Sequence, residues 1–443
     1  MESFVHLDVA TAFSAHYGTS WPQDLVDLAA DDGAEAAACV DRDGLYGAVK
    51  HVAACRSRGM GPILGTNLAV VDERGLSRGR VVLLAGGSAI GYAALCRAVS
   101  AAHGAELDTA AGTPAGTAAA ATSRLGLRRL VELARGEADT RPAVEGSAGS
   151  SAGSSADGSP ALVVLLGPES DVGRAAAERR YAEARRLLRG WRALLGPQAL
   201  RVEVVSHLAP PGEALSTAHA ARMLGLAEDV GVVAVLTNMV RFAHPDEATT
   251  ADVLDAVRVL SSLQSTESLQ PTGQGWLKPA AQMHRIAVEI TTSSATARTD
   301  AARLLEDTRA LAARCVLDPE EHLSFGRPKI PEHAVLGLGR GGASADPMRE
   351  LAQRCRAGLG ERFPQLADGG ARRGSAAAEA VHRRLDQELS VIEDLGFAGY
   401  FLTVAEVVAM VERMGVRVSA RGSGAVLAGQ PSAADQRSGS YRA

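Results

Sequence analysis

Short apolar runs alternate with amphipathic stretches along roughly the first 260 residues. Each run is long enough for one buried strand, and the stretches between them carry apolar residues at helical i, i+3 and i+4 spacing. The pattern predicts strands at 4–10, 36–40, 62–70, 81–85, 161–166, 202–206 and 232–236, and helices at 21–30, 45–58, 92–102 and 181–196. Strands that alternate with helices are typical of parallel βαβ units, and about seven of them favour a barrel over an open sheet.

The helix predicted at 181–196 has one basic side. Its apolar face consists of Leu187, Leu188, Trp191, Leu194 and Leu195. The arginines that largely avoid this face are Arg185, Arg186, Arg189 and Arg192. This pattern favours a solvated basic face, with a DNA contact as the alternative.

Helical patterns replace strand patterns in the remainder of the chain. Helices are predicted at 300–315, 346–358, 376–395 and from Phe401 to Gly415, where glycine ends the last of them. A predicted strand at 416–418 then leads into Arg421, Gly422 and Ser423. Such a loop offers backbone N–H groups and a hydroxyl to an anion, although the same residues also fit a plain turn.

Two segments lack the apolar residues that could seed a core. Residues 146–159 are almost entirely Gly, Ser and Ala, which predicts a flexible surface insertion within the βα series. Residues 426–443 show little periodicity and predict a disordered tail.

Charge and cysteine content narrow the class of protein. The 443 residues carry a net charge of −5, so any contact with DNA must come from local arginine clusters. The five cysteines show no CxxC spacing, which favours free thiols over a disulfide frame or a zinc site. A secretory signal and a membrane-length apolar run are not evident, so the default expectation is a cytoplasmic protein without a membrane partner.

The stretch GFAGYFLTVAEVV, followed by GVRVSARGSG, resembles the palm segment of bacterial C-family DNA polymerases, the DNA polymerase III α subunit, and most of all its error-prone accessory type. The resemblance implies DNA-directed DNA synthesis, with DNA, deoxynucleoside triphosphates and possible replication proteins as partners. The family's Gly-Ser element handles the triphosphate, and that role falls here on Gly422 and Ser423, with Arg421 beside them.

The N-terminal motifs FVHLDVATAFS, CVDRDGLYGAVKH and VLTNMVRF resemble the PHP (polymerase and histidinol phosphatase) domain that opens these polymerases. The implied fold is α/β, a PHP-type distorted (β/α) barrel followed by a mainly helical partial palm domain. The implied boundaries are 1–262 for the barrel, 263–425 for the palm part and 426–443 for the divergent tail.

The PHP metal site is degenerate in this sequence. Catalytic members hold two or three metal ions with His, Asp and Glu at strand ends. The corresponding positions here are Asp8, Ala10, Asp41, Arg42, Asn67, Asn238 and Arg241. Arginine repels a cation and alanine offers it no ligand, so we expect Arg42 and Arg241 to fill the site and to pair with Asp8 and Asp41. This favours an inert site over a metallo-hydrolase.

Polymerase chemistry also needs carboxylates for two Mg²⁺ ions. In the family these follow the Gly-Ser element, whereas here Asp435 is the only acidic residue after Glu412. We therefore assign no catalytic residue, and we expect this chain to be inactive alone and to bind no Mg²⁺. The alternatives are a PHP-type phosphoesterase or 3′→5′ exonuclease, a non-catalytic replication scaffold, and a pseudogene product whose tail from Val426 results from a frameshift.

Overall fold

The computed structural model describes residues 3–110, 123–137, 159–264, 270, 272–294, 298–324, 330, 346–362 and 376–419. These residues form two compact units, one comprising the described residues up to 324 and the other those from 330 on. The predicted tail at 426–443, and the predicted insertion except for Ser159, lie outside the described residues.

The first unit is an α/β structure. Its strands are β1 (Ala36–Arg42), β2 (Gly61–Val71), β3 (Ser77–Ala85), β4 (Arg124–Gly126), β5 (Leu162–Leu166), β6 (Leu200–Val204) and β7 (Ala234–Leu236). Its helices are α1 (Pro22–Asp31), α2 (Ala48–Arg58), α3 (Ala89–Ala110), α4 (Leu127–Ala134), α5 (Asp171–Ala177), α6 (Tyr181–Ala199), α7 (Thr217–Val230), α8 (Ala248–Arg258), α9 (Ala280–Ser293) and α10 (Ala301–Cys315). In this unit the predicted strands from residue 36 onward and the predicted helices are confirmed, although α3 continues to Ala110 instead of ending at residue 102. The strand β4 and the helices α4, α5, α7, α8 and α9 were not predicted.

Local sequence explains where several helices begin and end. The hydroxyls of Ser170 and Ser216 accept the main-chain N–H of Gly173 and His219, which caps the starts of α5 and α7. Gly231 ends α7 at a φ of 75°, a left-handed conformation that favours glycine. Pro197 follows a break at Gly196, so the last residues of α6 do not continue its axis.

The sheet has the order β1-β2-β3-β5-β6-β7, and β4 pairs with the far end of β2. All neighbouring strands are parallel except β3, which is antiparallel to both β2 and β5. The purely parallel pattern expected from the sequence is therefore wrong at β3. The cause is the five-residue connection 72–76, which is too short for a crossover helix and forms a hairpin turn stabilised by Asp72.

Residues 8–10 close the sheet into a barrel. The N–H of Val40 in β1 donates to the Val9 carbonyl at 2.7 Å, and the N–H of Ala10 donates to the Val240 carbonyl at 2.8 Å, just beyond β7. Within the strand predicted at 4–10, only Val9 forms a β-bridge, with Val240. Residues 8–10 nevertheless lie between β1 and the chain beyond β7, where a strand would complete the barrel. This closure confirms the prediction of a distorted barrel.

Alternate strand residues fill the barrel interior, and the others pack against the surrounding helices. Val40 of β1 and Leu165 of β5 belong to the inner cluster. Their neighbours along the same strands, Cys39 and Val164, belong to the outer one. Leu311 of α10 joins the inner cluster. The helix α10 therefore belongs to the barrel's core although it follows the last strand by many residues.

The second unit contains α11 (Pro347–Arg362), α12 (Ala376–Asp394) and α13 (Ala398–Arg413). Leu351, Leu385, Leu389 and Leu402 form the centre of its buried cluster. These helices confirm the predictions, and Gly415 follows α13 at a φ of 74° as expected. The strand predicted at 416–418 is wrong, because these residues are irregular and pair with no described strand.

Packing extends the first unit beyond the boundary predicted at residue 262. The helices α9 and α10 pack on α7 and β7, so the described residues from 263 to 324 belong with the barrel. Where the polymerase palm begins stays a prediction.

No single helix among the described residues is long and apolar enough to cross a membrane. Residues 378–394 and 398–413 pass such a test only as a joined pair with a 112° bend between them.

Candidate functional site

Inward-facing positions of the barrel change from apolar to polar toward the carboxyl ends of the strands. On β1, Arg42 lies two residues after inward-facing Val40. On β2, Asn67 lies four residues after inward-facing Ile63, so both polar side chains point to the interior. Carboxyl ends of barrel strands are where enzymes of this architecture place their active sites. We call this opening the barrel mouth, defined by Asp8, Tyr17, Arg42, Asn67, Glu169, Glu203 and Arg241.

Tyr17 packs against two arginines at the mouth. The Arg42 Cζ atom lies 3.7 Å from the centre of the Tyr17 ring, and the Arg241 Cζ atom lies 4.0 Å from it. The face of an aromatic ring attracts a cation, so one ring stabilises both guanidinium groups. Both arginines of this Arg–Tyr–Arg cluster lie at positions where the resemblance to the PHP domain implies metal ligands.

Each arginine of the cluster has its own carboxylate. Arg42 donates to Glu169 Oε1 at 2.6 Å. Although burial opposes ionisation of Glu169, Arg42 and Arg80 outweigh it and hold the pKa of this carboxyl below its usual range. Arg241 donates to both oxygens of Asp255, at 2.8 and 3.1 Å, and this pair is buried. Both charges are therefore matched within the fold.

The predicted pairing of the two arginines with Asp8 and Asp41 is wrong. Asp41 instead accepts hydrogen bonds from the Thr11 and Ser14 hydroxyls, both at 2.8 Å, and from the main-chain N–H groups of Thr11 and Gly47. The reason is strand geometry. Neighbouring side chains on a strand point to opposite faces, so Asp41 faces α2 while Arg42 faces the mouth.

Asp8 lies beside Glu203 in the buried floor of the mouth. Burial raises the pKa of Asp8 to about 7, and burial together with the neighbouring Asp8 raises that of Glu203 well above its usual value. Two such carboxyls share a proton near neutral pH rather than ionise together. Gly167 leaves the space for this arrangement, because a Cβ there would collide with Glu203.

The remaining positions of the degenerate site are occupied by structural hydrogen bonds. Asn67 Oδ1 accepts from Arg80 Nε at 2.6 Å. Asn238 Nδ2 donates to the carbonyls of Gln274 and Trp276, at 3.0 and 2.8 Å. Ala10 offers only its main-chain groups. None of these three residues has a side-chain oxygen turned toward a shared point.

The donor set does not fit a group of catalytic metal ions. Arg42 and Arg241 bring positive charge to the position, the Asp41 oxygens accept hydrogen bonds from five neutral donors, and Asp8 and Glu203 hold a proton. A hard divalent cation needs several ionised or carbonyl oxygens around one point. Among the described residues, no group of three or more His, Cys, Asp or Glu is arranged to hold a metal.

Histidines near the barrel make structural hydrogen bonds. The rings of His51, His103, His207 and His219 each donate to a main-chain carbonyl, and His6 donates to the Lys278 carbonyl at 2.9 Å. Burial lowers the pKa of His6, His51 and His207 to about 4, so these rings are neutral at pH 7.

The predicted phosphate-binding residues Arg421, Gly422 and Ser423 lie outside the described residues. Their role stays a prediction.

Comparison with known proteins matches two family models to this chain. Residues 6–207 match the PHP domain, and residues 349–428 match the bacterial DNA polymerase III alpha NTPase domain. The chain carries both domains in series. It is a relative of the bacterial DNA polymerase III α subunit.

Curated relatives agree with this relationship. The error-prone DNA polymerase of Nocardia farcinica is 29% identical over 95% of this chain and 35% of its own length, and that of Symbiobacterium thermophilum is 30% identical over 96% and 33%. The DNA polymerase III subunit alpha of Caulobacter vibrioides is 27% identical over 96% and 32%. The chain thus spans about a third of the length of these relatives. An amidohydrolase structure from Chromobacterium violaceum covers 53% of this chain and 87% of its own at 18% identity, but a TM-score of 0.32 is too low to place residues.

Sequence reasoning missed several residues of this PHP domain's mouth. Tyr17, Glu169 and Glu203 belong to no motif of metal ligands, and Asp255 lies on α8, which was not predicted. One signal was available, since an arginine in a buried β-strand register requires an acidic partner. That signal does not identify which acid is the partner.

Lys278 connects the barrel to the segment that follows α8. Its Nζ donates to Asn238 Oδ1 at 3.1 Å and to the Gln274 carbonyl, and it lies 5.6 Å from the Trp276 ring. Among the described residues, the groups whose pKa its charge helps to lower are His6 and His207. Burial lowers the pKa of Lys278 to about 7.

Replacing Arg241 by alanine should destabilise the first unit by about 3 kcal/mol, because Asp255 would remain buried without its bidentate partner. Urea unfolding followed by tryptophan fluorescence reports this unit alone, since Trp21, Trp191 and Trp276 all lie in it. The control is Arg258→Ala, which removes a partly exposed contact to the same carboxylate and should cost less than about 1 kcal/mol. Equal losses in both variants would contradict the assigned role of Arg241.

Replacing Lys278 by methionine should flatten the pH dependence of stability above pH 7. Between the folded pKa of about 7 and the ordinary value of 10.5, the unfolded chain binds a proton that the folded chain does not. The free energy of unfolding of the unmodified chain should therefore rise with pH in this window, by on the order of 1 kcal/mol per pH unit from this group. Lysine occurs only at positions 50, 278 and 329, and exposed Lys50→Met is the matched control. Parallel curves for the two variants would refute a buried, weakly basic Lys278.

Proposed function

We propose that this chain takes part in DNA-directed DNA synthesis as an error-prone type of DNA polymerase III α subunit. The observation that supports this most is the succession of a PHP domain and an α-subunit NTPase domain in one chain, with relatives of that type aligned over 95% of it. Its substrates are then DNA and deoxynucleoside triphosphates, and it acts in the cytoplasm, with replication proteins as further partners. Mg²⁺ is the metal of the intact family, and we expect this chain to bind none by itself.

Within this role we assign the PHP domain as a non-catalytic scaffold. A metal cluster holds strand ends and loops together by binding carboxylates, and the Arg–Tyr–Arg cluster does the same with guanidinium groups. Arg241 connects the loop of Tyr17, whose carbonyl it binds at 3.1 Å, to Asp255 on α8. Arg42 connects β1 to Glu169 beyond β5. The mouth is thereby closed by side chains that cannot activate water for phosphoester hydrolysis.

A PHP-type phosphoesterase or exonuclease is the second candidate. It requires the same carboxylate oxygens that the arginines and hydroxyls use. The hydrogen bonds to Asp41 and the ion pairs of Arg42 and Arg241 therefore favour the scaffold.

We assign nucleotide handling to the Arg-Gly-Ser segment that follows α13 in the sequence. Arg421 supplies a permanent positive charge, and Gly422 and Ser423 supply main-chain N–H groups and a hydroxyl for triphosphate oxygens. This assignment is carried over from the family motif residue by residue.

If this segment binds triphosphate, Arg421→Ala should weaken binding of a deoxynucleoside triphosphate with Mg²⁺ by roughly tenfold, the usual effect of losing one charged hydrogen bond. Titration calorimetry on the full chain measures this. Arg413→Ala, a nearby exposed arginine in the last turn of α13, should leave the affinity within about twofold. Equal effects of both substitutions, or no binding by the unmodified chain, would contradict the assignment.

If the PHP domain is a scaffold, Mn²⁺ or Zn²⁺ should not stabilise it. A ligand at 100 times its Kd adds about 2.7 kcal/mol to the free energy of unfolding, so a filled site would raise the melting temperature by several degrees. We expect a shift below about 1 °C and no metal-dependent hydrolysis of a phosphodiester substrate. A clear rise in Tm together with hydrolysis that chelation abolishes would instead support the phosphoesterase.

A further inference from the structure

Helix α6 carries a row of arginines at i, i+4 and i+7 spacing, of which Arg185 is half-buried and Arg189 and Arg192 are exposed. Arg185 is paired with Asp229 at 2.5 Å. Over the described part of the chain, neither Arg189 nor Arg192 has an ion pair or a side-chain hydrogen bond. Two positive charges in this row are therefore not matched by acidic groups.

Both unmatched arginines border a shallow cleft of about 550 Å³ between α6 and the end of α7. The acidic residue on its lining is Asp229, which already binds Arg185. The Arg192 guanidinium lies beside Gly231, 3.7 Å from the point where a Cβ would stand. The glycine that ends α7 thus leaves room for this guanidinium at the edge of the cleft.

A second surface cleft is lined by equal numbers of arginines and acidic residues. It measures about 610 Å³ and lies between the β2–β3 turn and α4. Its lining carries four arginines and four acidic residues, so its charges balance. The α6 cleft is smaller but carries an excess of positive charge on a chain whose net charge is −5. Such a local excess attracts phosphate groups despite the overall negative charge.

We propose that Arg189 and Arg192 bind the phosphate backbone of a DNA strand, which makes α6 an auxiliary DNA contact of the PHP domain. Guanidinium groups bind phosphate oxygens through paired N–H donors, and a fixed row of them on a helix contacts neighbouring phosphates without reading bases. The choice of DNA rests on the proposed function. The contact itself rests on the unmatched arginines and the uncompensated cleft.

The test compares two charge-reversal variants of the full chain, Arg189→Glu/Arg192→Glu and the control Arg74→Glu/Arg128→Glu. The control changes the charge equally at two exposed arginines of the balanced cleft. Fluorescence anisotropy with a labelled 20-nucleotide DNA strand is measured from 50 to 200 mM salt. We expect the α6 variant to lose at least about tenfold in affinity and the slope of log K against log salt to fall by about 1.4, at about 0.7 per phosphate contact.

We expect the control to change affinity less than threefold. Arg189→Lys/Arg192→Lys should keep most of the binding, since it keeps the charges, and circular dichroism shows whether each variant is folded. Equal losses in the two Glu variants, no loss in the α6 variant, or stronger binding of an RNA strand of the same sequence would overturn the proposal. Triphosphate affinity, measured on the same variants, should not change. If it is normal while DNA binding does not depend on α6, this inference fails and the proposed function stands.

Discussion

The contact of one tyrosine ring with two guanidinium groups holds the barrel mouth together. Residues 8–10 complete the ring through only a few main-chain bonds, and the loop that carries Tyr17 follows directly. Arg241 binds the Tyr17 carbonyl and a carboxylate on α8, and Arg42 approaches the same ring from β1. Four parts of the chain thus depend on one cluster. Because two like charges lie close together there, the cluster depends on the carboxylates of Glu169 and Asp255, which pair with Arg42 and Arg241.

Burial of Asp8 and of Lys278 makes the free energy of unfolding change with pH in opposite directions below and above pH 7. Asp8 keeps its proton to about pH 7 in the folded chain. Its contribution to the free energy of unfolding is therefore lost as pH rises from its ordinary pKa of 3.8 through the folded value of about 7. Lys278 loses its proton near the same pH, so its contribution improves as pH rises further. Asp8 thus contributes most to stability at low pH, and Lys278 contributes most at high pH. The barrel therefore gains little from either at neutral pH, which leaves the paired arginines as the main electrostatic support of the mouth.

The sequence predicts the parts of this fold that depend on local periodicity. Buried runs such as 161–166 and 202–206 appear as β5 and β6, and Gly415 ends α13 as its position suggests. The direction of β3 was missed, although the short connection 72–76 already excludes a crossover helix. The ion pairs at the barrel mouth could not be predicted from local periodicity. Arg42 and Glu169 are 127 residues apart, and which acid reaches which arginine depends on strand register and on the face that each side chain occupies.

Arginine and metal are alternative solutions to the same electrostatic problem. Strand ends that converge on one opening bring carboxylates together, and these repel one another unless a cation lies among them. A divalent ion satisfies them but leaves an open coordination position at which water can be activated. A guanidinium group satisfies them with directed N–H donors, requires no exchangeable ligand and leaves no such position. In a mouth built on Arg42 and Arg241, the charges are balanced by Glu169 and Asp255 without a metal ion.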